Sequence, residues 1–85
     1  MGKIKARIYS LANGYDAMDK LKAIRIVSKD YNILIMEDFL PIIGQLDGDV
    51  IFVDESNERK LSHIKGYYRH AHNEFELLIK SDTNV

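Results

Sequence analysis

The chain has 85 residues, enough for one domain, because a unit of this size buries only about 60 to 65% of the surface its unfolded form exposes. Hydrophobic residues make up 46% and charged residues 29%, which excludes the weakly hydrophobic, strongly charged profile of a disordered chain. Twelve Lys and Arg stand against 13 Asp and Glu without any basic cluster, so nucleic acid is not an expected partner, and the lack of cysteine excludes disulfides, thiolate zinc sites and cysteine nucleophiles.

From Lys3 to Ile8 the cations Lys3, Lys5 and Arg7 alternate with Ile4, Ala6 and Ile8, a period of two that marks a half-buried strand. Asn13-Gly14 reads as a tight turn. Tyr15 to Leu21 is open between strand and helix, with composition favouring helix. Ala23 to Val27 and Ile33 to Met36 are short, aliphatic and bounded by polar residues, and both read as strands. Pro41 has no backbone donor and biases Leu40 toward extended geometry, so a loop or crossover is expected over Glu37 to Pro41. Asp47-Gly48-Asp49 reads as a turn, Val50 to Val53 as a strand, and Asp54 to Lys60 as a solvated polar connection. Leu61 to Ile64, Gly66 to Ala71 and the alternation Phe75, Leu77, Ile79 complete the pattern, with His72-Asn73 as a hairpin corner.

Seven or so short strands with frequent turn signals predict an all-β fold, a small antiparallel β-sandwich or flattened barrel over residues 1–80 with a frayed tail at 81–85. No apolar run approaches the roughly 20 residues of a membrane helix, and Met1-Gly2-Lys3-Ile4-Lys5 opens no signal peptide, so a cytoplasmic protein without membrane insertion is expected.

No residue set spells out a reaction. His70, His72 and Glu74 fit an H-x-H-x-E zinc pattern with His63 as a distant fourth candidate, but a turn at Asn73 would break their register. They read instead as exposed hairpin histidines, and no metal or other cofactor is expected. Asp47, Asp49, Asp54, Glu55 and Glu58 suit turns as well as carboxylate catalysis. Ser10, Ser28, Ser56 and Ser62 lie in no nucleophile elbow, and Gly44, Gly48 and Gly66 form no phosphate loop. The chain does not read as an enzyme. Tyr67 and Tyr68 are candidates for an interface, although neighbours on a strand face opposite ways.

The segments Ile35-Met36-Glu37-Asp38-Phe39-Leu40-Pro41-Ile42-Ile43, Leu46-Asp47-Gly48, Val50 to Val53, Ile64-Lys65-Gly66-Tyr67-Tyr68 and Asn73 to Leu78 follow one another in an order that resembles the N-terminal β-sandwich domain of the rotary (F-type) ATP synthase epsilon subunit. Tyr31 and Leu34 stand where that family has glycines, Glu37 where it has a proline, Phe39 where it has a histidine and Tyr67 where it has the second glycine of a pair. The family's two C-terminal helices have no counterpart in these letters, so the inhibition and nucleotide contact they provide are not expected. The resemblance implies a non-catalytic docking domain on the central stalk of a rotary ATPase, with Glu37, Asp38, Phe39 and Leu40 as contact surface. In the alternative reading of the same loop, Phe39 and Leu40 plug one end of the sandwich. A stand-alone module that forms homo-oligomers through an uncovered sheet edge is the competing function, and a small histidine metalloprotein a third.

Overall fold

A computed structural model describes residues 2–11 and 14–82. Seven strands, β1 (Ile4–Ser10), β2 (Gly14–Leu21), β3 (Ala23–Ser28), β4 (Asn32–Met36), β5 (Ile42–Val53), β6 (Glu58–Ala71) and β7 (Glu74–Asp82), form one open sheet in the order β2-β1-β7-β6-β5-β3-β4, and no helix occurs among the described residues. The fold is all-β as the alternation indicates. Every pair is antiparallel except β1 with β7, where Ala6 lies beside Phe75 and Ile8 beside Leu77 in parallel register, so the sheet is mixed.

The sheet folds over its own apolar face. Ile4, Ala6 and Ile8 of β1, Ile24 and Ile26 of β3, Ile35 of β4, Leu46, Val50 and Phe52 of β5, Ile64 and Tyr68 of β6 and Phe75, Leu77 and Ile79 of β7 are buried in a single cluster. Phe52 and Phe75 sit on strands that do not pair, yet their rings meet edge-on with centroids 6.1 Å apart, the contact of two sheet halves facing each other. Folding over requires β5 and β6 to bend, which they do at register shifts between Gly48 and Val50 and between Lys65 and Gly66.

These bends account for two differences from the sequence reading. Asp47-Gly48-Asp49 is no turn, because β5 runs through it as a bulged strand of 12 residues. A Cβ on Gly48 would lie 2.1 Å from the Val27 carbonyl oxygen, so the glycine is there for close approach to β3, and the acids serve the bulge. The Asp49 Oδ1 accepts the His63 backbone N–H at 3.3 Å. Likewise the expected break between Leu61–Ile64 and Gly66–Ala71 is a bulge inside the 14-residue β6.

Three other readings change. Tyr15 to Leu21 is strand: pairing of Tyr15 with Tyr9 and Ala17 with Arg7, with Leu21 buried and Met18 packed on the core, overrides a weak helix propensity. The polar connection after Asp54 is shorter than expected, since Glu58 to Lys60 already pair in β6. Asp54 makes the loop itself, its Oδ1 accepting the N–H groups of Ser56 and Asn57, which hold its carboxyl below the usual range. His70 is not an exposed hairpin histidine but is 1% exposed, with neither ring nitrogen bonded among the described residues.

The His72-Asn73 corner is as expected, with φ of 52° and 60° as an inverse-type hairpin turn requires. Glu37 to Pro41 is the expected loop between β4 and β5. Of the Asn13-Gly14 turn, Asn13 lies outside the described residues. β7 extends through Asp82, and the rest of the expected tail, 83–85, is likewise outside them.

Two outcomes follow from the bends and the buried imidazole. Gly48→Ala must push β5 from β3 and is expected to lower stability by about 1–3 kcal/mol, read as a reduced urea midpoint with unchanged slope. Burial lowers the His70 pKa, so the folded state keeps it neutral. Stability is undiminished above the unfolded value near 6.5, falls as pH drops below it by at most about 1.4 kcal/mol per unit, and levels off beyond the lower folded pKa. Urea titrations from pH 8 to 5 should show that slope in the wild type and lose it in His70→Leu.

Candidate functional site

Because side chains alternate along each strand, burying one face places the others in rows on the outer face. One row crosses four strands: Tyr15 (β2) pairs with Tyr9 (β1), Tyr9 with Leu78 (β7) and Leu78 with Tyr67 (β6). All four are exposed, and the Tyr9 and Tyr15 rings are 5.1 Å apart. Ile43 on β5, 81% exposed, lines the same depression as Tyr9, Tyr67 and Leu78.

Two residues along each strand, the next row is charged. Arg7 pairs in register with Glu76, and Glu76 with Arg69. Arg7 Nη2 donates to Glu74 at 2.7 Å and its Nη1 lies 3.5 Å from Glu76, while Arg69 Nε donates to Glu76 at 2.7 Å. Arg7 is held above its ordinary pKa by the Tyr9 hydroxyl first and then by the glutamates. Exposed pairs of this kind contribute little to stability. Their effect is to fix long side chains into a flat ionic border along the apolar row.

The loop singled out by the sequence lies at the end of the sheet where this border stops. Pro41 and Ile43 share a depression with Arg7, Arg69 and Glu76. Asn73 ties the loop down: its Oδ1 accepts the Asp38 N–H at 2.7 Å, its Nδ2 donates to Asp38 Oδ1 at 3.1 Å, and its carbonyl accepts the Lys5 N–H at 2.9 Å. Glu37 Oε2 accepts the Lys3 N–H at 2.9 Å. Both acids therefore hold the loop as well as face solvent, and Asp38 takes a φ of 61° within the clasp.

The candidate contact residues separate into two groups. Leu40 is 78% exposed and Tyr67 45%, both available to a partner. Phe39 packs against the core, the plugging role open to it from sequence, whereas Leu40 does not plug. Tyr68 is 3% exposed and presents no ring to a partner. It stacks on Phe75 with centroids 5.8 Å apart, and its hydroxyl lies 2.9 Å from that of Tyr31, which also donates to the Gln45 carbonyl. Burial, with the Tyr31 hydroxyl as second cause, pushes the Tyr68 phenol well above its usual pKa. Gly44 makes this possible, since a Cβ there would lie 2.5 Å from the Tyr68 hydroxyl oxygen.

His70, His72 and Glu74 do not converge: His70 points into the core while His72 and Glu74 are exposed. Among the described residues no three His, Asp or Glu side chains stand close enough to hold a metal. Sequence reasoning missed Tyr9, Tyr15, Ile43 and Leu78, although alternation on Lys5-Arg7-Tyr9 and Glu74-Glu76-Leu78 carried the signal. The missing information was the parallel register of β1 on β7, which sets the two alternations side by side.

No protein-family model matches the chain, and no curated protein does. Its fold matches a chain in the cryo-EM structure of the Tetrahymena thermophila mitochondrial ATP synthase, central stalk and c-ring, with a TM-score of 0.73 at 13% identity, covering 95% of this chain and 67% of that one. The likeness is one of fold.

Asn73 tests the clasp without substituting any candidate contact residue. Asn73→Gly keeps the positive φ and removes only the Asp38 clasp, at about 1 kcal/mol, whereas Asn73→Ala also strains the turn and is expected to lower stability by about 1–3 kcal/mol more. Thermal melts should rank wild type above Gly above Ala.

Proposed function

We propose that the chain is a non-catalytic docking domain of the epsilon-subunit type, seated on a central-stalk subunit of a rotary ATPase. The observation that carries this reading is the fold likeness over 95% of the chain to a component of an ATP synthase central stalk and c-ring structure. The order of segments from Ile35 to Leu78 supports the finer assignment. A protein of this kind works at a membrane-bound machine without entering the bilayer, and no helix among the described residues is long and apolar enough to cross one.

The contact surface in this proposal joins Leu40 and Ile43, at the clasped end, to Tyr67 and its row neighbours Tyr9 and Leu78. Glu37 and Asp38 shape its border. Exposed apolar side chains in a contiguous row edged by charge have the make-up of an interface core with a polar rim. Phe39 anchors the loop from inside and Tyr68 supports Tyr67 from beneath the sheet.

The test is affinity capture from host extract with the wild type, a Leu40→Ser, Ile43→Ser double variant and Tyr67→Ser. These side chains are exposed, so the variants should melt like wild type, unlike Phe39→Ser, which would open the core. Wild type is expected to recover rotary ATPase stalk subunits, and each variant at least 10-fold less, as loss of an interface anchor of more than about 1.4 kcal/mol requires. Absence of ATPase subunits from the wild-type capture, or their undiminished recovery by all variants, overturns the reading.

A further inference from the structure

β5 is held unevenly along its length. From Gly48 onward it pairs with β3 on one side and β6 on the other, whereas Ile42 to Asp47 pair with β6 alone. Tyr31 and Ser28 tie down the inner part of this half, at the Gln45 carbonyl and the Asp47 backbone. The segment from Glu37 to Ile43 is left as a flap with a single ladder behind it. It is kept down by Phe39 and Ile42 packing on the core, by the Asp38 clasp on Asn73 and by Glu37 on the Lys3 N–H.

Beside the flap lies His70. It is the register partner of Ile42, the first residue of β5, and lines one depression with Pro41 and Ile42. It is the one buried polar or charged residue among those described, and neither ring nitrogen has a partner among them. A neutral imidazole carries a donor and an acceptor and a protonated one two donors, so the closed flap denies water to both nitrogens in either state.

The groups around His70 supply no counter-charge. Its register partners, Ile42 on β5 and Phe75 on β7, are apolar. Glu74 and Glu76 of β7 are engaged by Arg7 and Arg69 on the outer face, and Lys5 of β1 and His72 of the corner are exposed. Glu37 and Asp38 of the flap bond the Lys3 N–H and Asn73. Tyr68, on the same face of β6, has its phenol pushed above its usual pKa by burial and stays neutral.

We propose that residues 37–43 form an acid-released flap: a proton settles on His70 only when the flap lifts, so falling pH holds the flap open and carries Leu40 away from its place beside the outer row. Lifting is local, because β6 keeps its ladders with β7 and with β5 from Gly44 onward, and the Phe52–Phe75 contact lies outside the flap. The closed form holds His70 neutral, burial having lowered its pKa, and the open form restores the ordinary value near 6.5. Opening is therefore independent of pH well above that value. Below it, opening grows by at most about 4-fold at pH 6 and about 30-fold at pH 5, and it levels off beyond the lower pKa of the closed form. That the movement of Leu40 regulates docking rests on the stalk reading, while the lifting belongs to the chain alone, so either can fail without the other.

Native-state hydrogen exchange of the purified chain from about pH 8 to about pH 5, corrected for the intrinsic pH dependence of amide exchange, tests the flap directly. The Asp38, Phe39 and Ile42 amides are expected to exchange by an opening that low concentrations of urea leave unchanged, and this opening should rise in acid by up to the factors above. The Ile24 and Ile26 amides, on a strand paired on both sides, should exchange only by a urea-dependent global opening. In the wild type the His70 ring resonances should titrate in step with the flap amides. His70→Leu should abolish the acid rise at the flap, whereas His63→Asn and His72→Asn should keep it; these replace the other two imidazoles with a residue that tolerates their positive φ. Flap amides that exchange only by the urea-dependent route overturn the proposal, as does an acid rise that survives in His70→Leu or disappears in His63→Asn.

Discussion

The structure depends on the bending of β5 and β6. Straight strands of 12 and 14 residues would span about 40 and about 46 Å at about 3.3 Å per residue, longer than the molecule's largest extent of 33 Å. The bulges at Gly48 and Gly66 turn them back, so each strand serves two halves of one sheet. From that follow the Phe52–Phe75 contact, a core that draws on every strand with Met18 packed from β2, and the apposition of halves that makes an open sheet sufficient for a small domain without cysteine. Gly48 and Gly66 are both tight constraints, because a Cβ on either would lie 2.1 Å from the Val27 or 2.0 Å from the Leu78 carbonyl oxygen, and a backbone carbonyl cannot swing aside as a side chain can.

Much of the strand pattern was legible because alternation is a direct record of which face is buried. Ile4-Ala6-Ile8, Ile24-Ile26 and Phe75-Leu77-Ile79 are each a period-two run, and all are inside. The errors lie where one local signal serves two structures. Asp-Gly-Asp marks a turn when the chain reverses and a bulge when it bends, and only the pairing of β5 with β3 and β6 distinguishes them. Asp16 to Lys20 has helix-favouring letters, but its partner is β1, more than half a dozen residues upstream, and the ladder decides. The loop at Glu37 to Pro41 was visible because proline acts through its own geometry, whereas the outer row needed a long-range register that no window of sequence contains.

The core is not uniformly apolar, and its polar members are handled in opposite ways. The Tyr68 hydroxyl is buried with a partner, Tyr31, which itself bonds the Gln45 carbonyl, so the desolvated oxygen is satisfied. His70, two residues along the same face of β6, packs its ring against Phe75 with centroids 6.2 Å apart and finds no such partner among the described residues. It behaves as a flat, nearly apolar filler only while neutral. The hairpin end of the sheet, which carries the loop with Leu40, is therefore the part of the core whose packing responds to acid.

That end is also where rigidity and exposure meet. An apolar side chain on a mobile loop loses conformational freedom on binding, and this loss offsets the contact it makes. Leu40 escapes much of that loss, since its loop is fixed by Asp38 to Asn73, by Glu37 to the Lys3 backbone and by Phe39 inserted in the core. Ile43, Tyr67, Leu78 and Tyr9 stand on strands and are ordered already. The arginine–glutamate border adds little stability, yet it keeps charged groups in a defined line along the apolar row, where they discriminate between partners by charge at small expense in affinity. A surface that is pre-ordered, apolar in its middle and charged on its border does for docking what the bulges do for the core: it settles geometry before contact, so that the contact energy is not consumed in ordering the chain.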